Sequence, residues 1–212
     1  KGAFWKNINH EIDKCKCNLV INRRFGPTST NLISFFSEKK IVPNDTLNVV
    51  LEKDPTRAKA FCIILNSIIY LSQFYLLKQD TTGRYTDIRH YDIAEARVFC
   101  SDDKIVKKLA GVFDKFGKKE FPLLRDQLDT KFDKRYDQFW NEIRMSRKKP
   151  GQTRLTPITK LKPTVIPMKD RVDLDLAVCS ALKIPMSKKK LIEIYSVLVR
   201  NMITNRGLTT SE

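Results

Sequence analysis

The stretch from Asp54 to Leu77 constrains this chain more than any other. Asp54 followed by Pro55 reads as an N-cap and a first helical position, because the carboxylate accepts from orphan backbone amides and proline needs no donor there. From Ala60 to Leu77 apolar residues (Phe61, Ile63, Ile64, Leu65, Ile68, Ile69, Tyr70, Leu71, Phe74, Tyr75, Leu76, Leu77) fall on every face of the helix. A helix of that kind is buried on most sides, so the rest of the chain must be built to cover it. The run reaches the roughly 18 residues that can span a bilayer. Asn66, Ser67, Ser72 and Gln73 interrupt it and no second hydrophobic segment follows, so the expectation is a core helix with no membrane association. It also lies too deep in the chain for a signal peptide.

The segments flanking this helix read as strands and turns. Downstream, Gln79-Asp80-Thr81-Thr82-Gly83-Arg84 cannot continue the helix, and Gly83 offers a positive-φ turn position. Tyr85-Thr86-Asp87-Ile88-Arg89 then alternates as a strand does, with His90-Tyr91-Asp92 closing it. Upstream, strand candidates are Cys17 to Asn22, Leu32 to Phe36 and Leu47 to Leu51, with turns at Gly26-Pro27 and Pro43-Asn44-Asp45. Residues 1–100 are therefore expected to form an α+β domain, a mixed sheet packed on the buried central helix.

The remainder is expected to be mainly helical. In 101–149, Ile105, Leu109, Val112 and Phe116 recur at helical spacing and end near Gly117. Leu124, Leu128, Phe132, Tyr136, Phe139 and Ile143 predict a long amphipathic helix from Phe121 to Lys148. Residues 150–170 form a basic linker that Pro150, Pro157, Pro163 and Pro167 keep from being one helix, and no acid occurs between Glu142 and Asp170. Residues 171–212 return to helix as a hairpin. Leu174, Val178, Ala181 and Leu182 make one stripe, and Leu191, Tyr195, Leu198 and Met202 another. Ile184-Pro185-Met186-Ser187 is the turn, and Ser187 the N-cap of the second helix.

Two sets of residues carry a family resemblance. The run Arg57-Ala58-Lys59-Ala60-Phe61-Cys62-Ile63-Ile64-Leu65-Asn66-Ser67, then Thr81 to Ile88, then Tyr91-Asp92-Ile93, resembles the target-recognition (specificity) region that follows the catalytic domain in DNA adenine methyltransferases of restriction-modification systems. The likeness extends back through the Arg23-Arg24 pair, the Thr28-Ser29-Thr30 loop and Asn44-Asp45-Thr46. Arg171 to Val178, Ala181-Leu182-Lys183-Ile184 and Glu193-Ile194-Tyr195 resemble the closing helical hairpin of the same family, in the same order, although the family usually has Gly where Lys183 stands. The resemblance implies sequence-selective binding of double-stranded DNA, with one adenine presented to a methyltransferase active site that flips it from the stack. It also implies S-adenosylmethionine as the cofactor of the parent enzyme. The loops for that chemistry are missing here: no Pro-Pro pair and no Gly-x-Gly occurs, so this chain is expected to hold no cofactor. The catalytic domain is expected N-terminal to Lys1 or on another chain; opening on Lys1 fits either a natural start or a boundary within a longer protein.

Composition agrees with a polyanionic partner, for 40 Lys and Arg against 24 Asp and Glu give a formal charge of +16. By loop placement and chemistry the expected DNA contacts are Arg23, Arg24, Thr82 and Arg84, then Thr81 and Arg89, with Gly83 letting the backbone approach closely. Lys148, Lys149, Lys160 and Lys162 of the linker are expected to follow the phosphate backbone. The plainer alternatives are a solvated strand end for Arg23 and Arg24, a turn-holding ion pair from Arg84 to Asp80 or Asp87, and a solvated connector for the linker. Five cysteines at irregular spacing make no disulfide framework and point to a reducing cytoplasm. Cys15 and Cys17 lack a second ligand pair for zinc. Gly111 to Lys118 imitates a phosphate-binding loop but sits in a helical pattern, and Lys119 stands where Ser or Thr belongs. Asp45 with Glu52-Lys53 imitates a metal nuclease but lacks the spacing. A metal-dependent nuclease and a helical protein-assembly module are the competing functions.

Overall fold

The structure, a computed structural model, describes residues 10–26, 30–77, 86–88, 93, 102–128 and 165–209. The fold is α+β, a three-stranded antiparallel sheet packed on a buried helix and followed by a mainly helical region. Strand β1 (Cys17–Asn22) is central, between β3 (Ser34–Ile41) and β4 (Leu47–Val50), both running against it. Strands β2 (Arg24–Phe25) and β5 (Thr86–Asp87) form a separate antiparallel ribbon. A mixed sheet was the expectation, and the pairing among the described strands is antiparallel throughout. The β1-to-β3 connection, residues 23–33, is shorter than the crossover of a dozen or more residues that a parallel neighbour needs.

Strand β1 is buried on both faces, as a central strand can be, with Leu19, Val20 and Ile21 all covered. Leu19, paired with Phe36 and Val50, is fully buried and packs with Ala58 and Cys62 of helix α1 (Pro55–Leu65). Asp54 caps that helix as expected, its carboxylate accepting from the Thr56 amide at 2.9 Å.

The central helix is not continuous. It divides into α1 and α2 (Ile68–Leu77) at Asn66 and Ser67, two of the polar residues that interrupt the apolar run. Both are buried, and the Ser67 hydroxyl donates back to the Ile64 carbonyl at 2.6 Å. The Asn66 side chain behaves like one more strand residue: its Oδ1 accepts from the Ile33 and Ser34 amides at 2.7 and 3.0 Å, and its Nδ2 donates to the Ser34 carbonyl at 2.8 Å. The same bonds explain why β3 begins at Ser34 rather than Leu32. The strand then runs on through the charged Glu38, Lys39 and Lys40 to Ile41. The first amide of α2, that of Ile68, donates instead to the Asp175 carboxylate at 2.7 Å, which fills the role of an N-cap from far away in sequence.

Helix α3 (Asp103–Phe116) follows the expected stripe, capped by Asp102 and ended at Gly117. A Cβ at Gly117 would lie 2.8 Å from the Phe113 carbonyl oxygen, so the glycine is required by close approach. Phe121 and Pro122 do not open a helix as expected. A short helix, α4 (Leu124–Leu128), starts only where the Leu124 amide meets the Thr30 carbonyl at 2.9 Å, and the rest of the expected long helix lies outside the described residues. Helices α5 (Lys169–Ala181) and α6 (Lys188–Thr209) make the closing hairpin. Ser187 caps α6, its Oγ accepting from the Lys190 amide at 3.2 Å. Lys183 takes a φ of 59°, the left-handed conformation that glycine usually supplies, while the Ile184 amide reaches back to the Cys179 carbonyl at 2.8 Å. The turn thus keeps a glycine geometry without the glycine.

A buried ion pair joins the helical region to the rest. Arg171 and Asp175, one turn apart on α5, are 1% and 0% exposed and meet twice, Nε to Oδ2 at 2.8 Å and Nη2 to Oδ1 at 3.2 Å. Asp175 also accepts from the Tyr195 hydroxyl of α6 at 2.6 Å, besides the Ile68 amide. Arg171 Nη1 donates to Gln127 Oε1 at 3.3 Å, and Gln127 Nε2 donates to the carbonyls of Asn31 and Pro122, each at 2.6 Å. Burial works against the Arg171 charge, but Asp175 beside it holds the guanidinium above its ordinary value. Burial and the Asp175 charge push the Tyr195 phenol far above its usual range, so it remains a donor.

Asp175→Ala would strand a buried guanidinium and the Ile68 amide and should cost about 3–5 kcal/mol in urea unfolding. Arg171→Met combined with Asp175→Asn removes the charges but keeps an acceptor, and should be less destabilised than Asp175→Ala alone. A double variant as weak as the single would show that the charge is not what matters. Lys183→Gly should raise stability by about 0.5–1 kcal/mol, because the left-handed conformation strains a residue with a Cβ; an unchanged midpoint would mean that the turn carries no such strain.

Candidate nucleic-acid interface

Strand β1 ends at Asn22, whose amide donates to the Ile33 carbonyl at 2.8 Å. The chain then leaves the sheet. The Arg23 amide donates to the Thr46 carbonyl at 3.0 Å, and the Arg23 carbonyl accepts from the Ile88 amide at 2.7 Å. Arg24 and Phe25 pair with Asp87 and Thr86. Phe25 is 2% exposed and meets Phe74 of α2 edge to face, with ring centroids 5.4 Å apart. Successive side chains of a strand point to opposite sides, so burying Phe25 turns Arg24 outward. Both arginines are exposed. Arg23 Nη1 makes one long contact, 3.4 Å to the Asp45 carbonyl, and Arg24 has no carboxylate partner among the described residues. Asn48 Nδ2 donates to the Ile88 carbonyl at 2.8 Å and ties the ribbon to β4.

Of the residues that the sequence puts forward, the structure thus places Arg24 in the β2–β5 ribbon and Arg23 directly before it, both exposed. It also pairs Arg24 with the strand that directly follows the Thr81-to-Arg84 stretch. Thr81, Thr82, Gly83, Arg84 and Arg89 themselves lie outside the described residues, as do Lys148, Lys149, Lys160 and Lys162. Thr30 is structural: it is 6% exposed and closes a turn by accepting from the Gly26 amide at 3.1 Å through its hydroxyl.

A second basic surface is not among the sequence expectations. Opposite the apolar stripe of α3, Lys104, Lys107, Lys108 and Lys115 are exposed, with Lys118 just beyond the helix end. The signal for it is the complement of the stripe itself, lysines at positions that Ile105, Leu109, Val112 and Phe116 leave to solvent.

Other chemistries find little support in the geometry. Glu52 is engaged at the start of α1, accepting from the Asp54 amide at 3.0 Å and lying 3.6 Å from Arg57. Among the described residues no three His, Cys, Asp or Glu side chains converge as a metal site. A cleft of about 100 Å³ lies between α1, α3 and β3, lined by Leu32, Phe35, Phe36, Phe113, Phe116 and Phe121 among others. It is smaller than the roughly 300 Å³ at which small-molecule sites begin. Gly111 and Gly117 belong to α3 and its end, so the Gly111-to-Lys118 stretch is helix and not a phosphate-binding loop. No described helix is long and apolar enough to cross a membrane. The described cysteines are free; Cys15 is exposed and Cys17, Cys62 and Cys179 are buried. Burial pushes the Cys62 thiol up to about 12 and the Cys179 thiol up to about 11, which leaves both inert as nucleophiles near neutrality.

The chain matches no family model, no curated protein and no solved structure.

The raised thiols set a pH dependence. Below the ordinary thiol value of 9.0 both folded and unfolded states keep the protons of Cys62 and Cys179. Above it the unfolded state releases them first, so stability falls with rising pH until the folded thiols ionise at about 11 to 12. Urea midpoints should be flat through neutrality and decline above pH 9, less steeply in Cys62→Ala with Cys179→Ala. An equal decline in the variant would assign the effect to other groups.

Proposed function

We propose that this chain binds double-stranded DNA and selects the target sequence for an adenine methyltransferase. The catalytic domain of that enzyme, with its S-adenosylmethionine, lies elsewhere in the same parent protein or on another chain. The observation that carries the reading is the β2–β5 ribbon. It displays Arg24 outward on a backbone fixed by strand pairing and by the Phe25 anchor, beside the strand that follows Thr82, Gly83 and Arg84 in the sequence.

A guanidinium held in this way can pair bidentately with the O6 and N7 atoms of a guanine in the major groove. Phosphate contacts position a duplex and carry little sequence information, a task for which the formal charge of +16 is suited. Base flipping and methyl transfer belong to the catalytic domain. The free cysteines suit a reducing cytoplasm.

Against a duplex enriched from a randomised pool, Arg24→Ala should lose about 1–3 kcal/mol of binding, with little change against a scrambled duplex. Its melting temperature should stay at the wild-type value, since the side chain is exposed. Equal weakening on both duplexes would make Arg24 a phosphate contact, and wild-type protein that enriches no sequence would refute target selection.

A further inference from the structure

We propose that the solvent face of α3 is a phosphate-backbone contact surface, separate from the ribbon and blind to sequence. The inference rests on the DNA-binding reading above and assigns to it a surface that reading does not use. Two independent observations carry it.

The first is charge. Lys104, Lys108 and Lys115, with Gly111 between the last two, recur at steps of three and four and form one line along the helix, continued by Lys118. At 1.5 Å per residue the line is about 20 Å long. Lys107 lies beside it, and none of these lysines has a carboxylate partner among the described residues. The neighbouring acids offset it in part: Asp102 caps the helix and Asp103 sits in the first turn, where both complement the helix dipole, and Asp114 is held by Lys59 at 2.8 Å. Like charges at this spacing weaken a helix.

The second is the glycine. Gly111 is exposed in the middle of α3, and a Cβ there would meet nothing within 4 Å. Neither a left-handed backbone nor a close internal neighbour requires it, yet a mid-helix glycine is about 1 kcal/mol worse than alanine. The result is bare backbone at the centre of a lysine line. A phosphate chain laid across it can approach closely while lysines reach it from both sides, and its charge relieves their mutual repulsion. Duplex DNA suits this line because its charge is regularly spaced: at 3.4 Å per base pair, about 20 Å covers roughly six pairs.

The experiment uses the 212-residue chain and random-sequence duplex, with binding measured by fluorescence anisotropy from about 50 to 200 mM salt. Lys104→Gln/Lys108→Gln/Lys115→Gln should weaken binding to all duplexes alike and flatten the salt slope by up to about 0.9 for each phosphate no longer neutralised. Gly111→Glu should weaken binding in the same sense, and Gly111→Ala should raise the melting temperature yet weaken binding slightly, because its methyl group stands where the phosphates would approach the bare backbone. A triple variant that keeps its helical circular dichroism and its full salt slope would overturn the inference, and so would wild-type protein that binds polyglutamate through these lysines more tightly than duplex. The two readings fail separately. Sequence preference abolished in Arg24→Ala with an unchanged triple variant removes this surface alone; a salt slope carried by the α3 lysines with no sequence preference in the wild type removes target selection alone.

Discussion

Arg171 and Asp175 enter the protein interior together, and much of the fold is arranged to make that possible. Each ion gives up several kcal/mol of hydration on burial, and the loss is tolerable only where every polar atom finds a partner. Here Asp175 receives donors from its own helix, from Tyr195 on the next, and from the backbone at the start of α2, while Gln127 links Arg171 to the loop before β3. A compact arrangement that separated any one of these elements would leave charge or an amide unpaired. The penalty, about 3–5 kcal/mol for a stranded buried charge, is large beside a typical total stability of about 5–15 kcal/mol. The pair therefore acts mainly by excluding other packings, since well-packed apolar residues could supply as much stability.

The consequence reaches the candidate interface through a short series of contacts. Asp175 fixes where α2 begins. Along α2, Tyr70 stacks on Phe74 with centroids 6.1 Å apart, and Phe74 receives the edge of Phe25. Phe25 sets the direction of Arg24 through the alternation of a two-residue strand. A break in what looked like one helix is thus structural machinery: an unbroken helix would give Ile68 an internal partner and leave Asp175 without one of its donors.

What could be read in the sequence was what is decided locally. The Asp54 cap, β1, the stripe of α3 and the Ser187 cap each depend on residues within one turn or one strand, and each forms as expected. The helix break was not legible, because Asn66 bonds to residues more than thirty positions away and an asparagine in an apolar run looks only like an interruption. In sequence Arg171 and Asp175 are only two members of the run from Arg171 to Val178, and nothing nearby shows that α4, α6 and the start of α2 will close over them. Lys183 in a glycine conformation is likewise imposed by the hairpin around it. At the candidate site, the exposure of Arg23 and Arg24 was legible from their place at a strand end, whereas the pairing of Arg24 with Asp87 and the bond from Ile88 to Arg23 are long-range facts.

The two basic surfaces differ in the kind of contact each can make. A lysine on a helix face is a hydrated point charge on a flexible stem, able to follow a phosphate wherever the backbone runs, which suits affinity without selection. Selection needs donors at fixed angles, and a guanidinium supplies them only if its backbone does not move. Ordering one residue's backbone costs about 1–2 kcal/mol, and in the ribbon that ordering is complete before any partner arrives, through strand pairing, the flanking Arg23 and Ile88 backbone bond and the Phe25 anchor. Binding then has only side-chain rotamers left to restrict, so a bidentate contact worth about 1–3 kcal/mol is not consumed by the ordering of the loop that carries it. On this physical ground the short ribbon, with fewer basic residues than α3, is the better place from which to read a base.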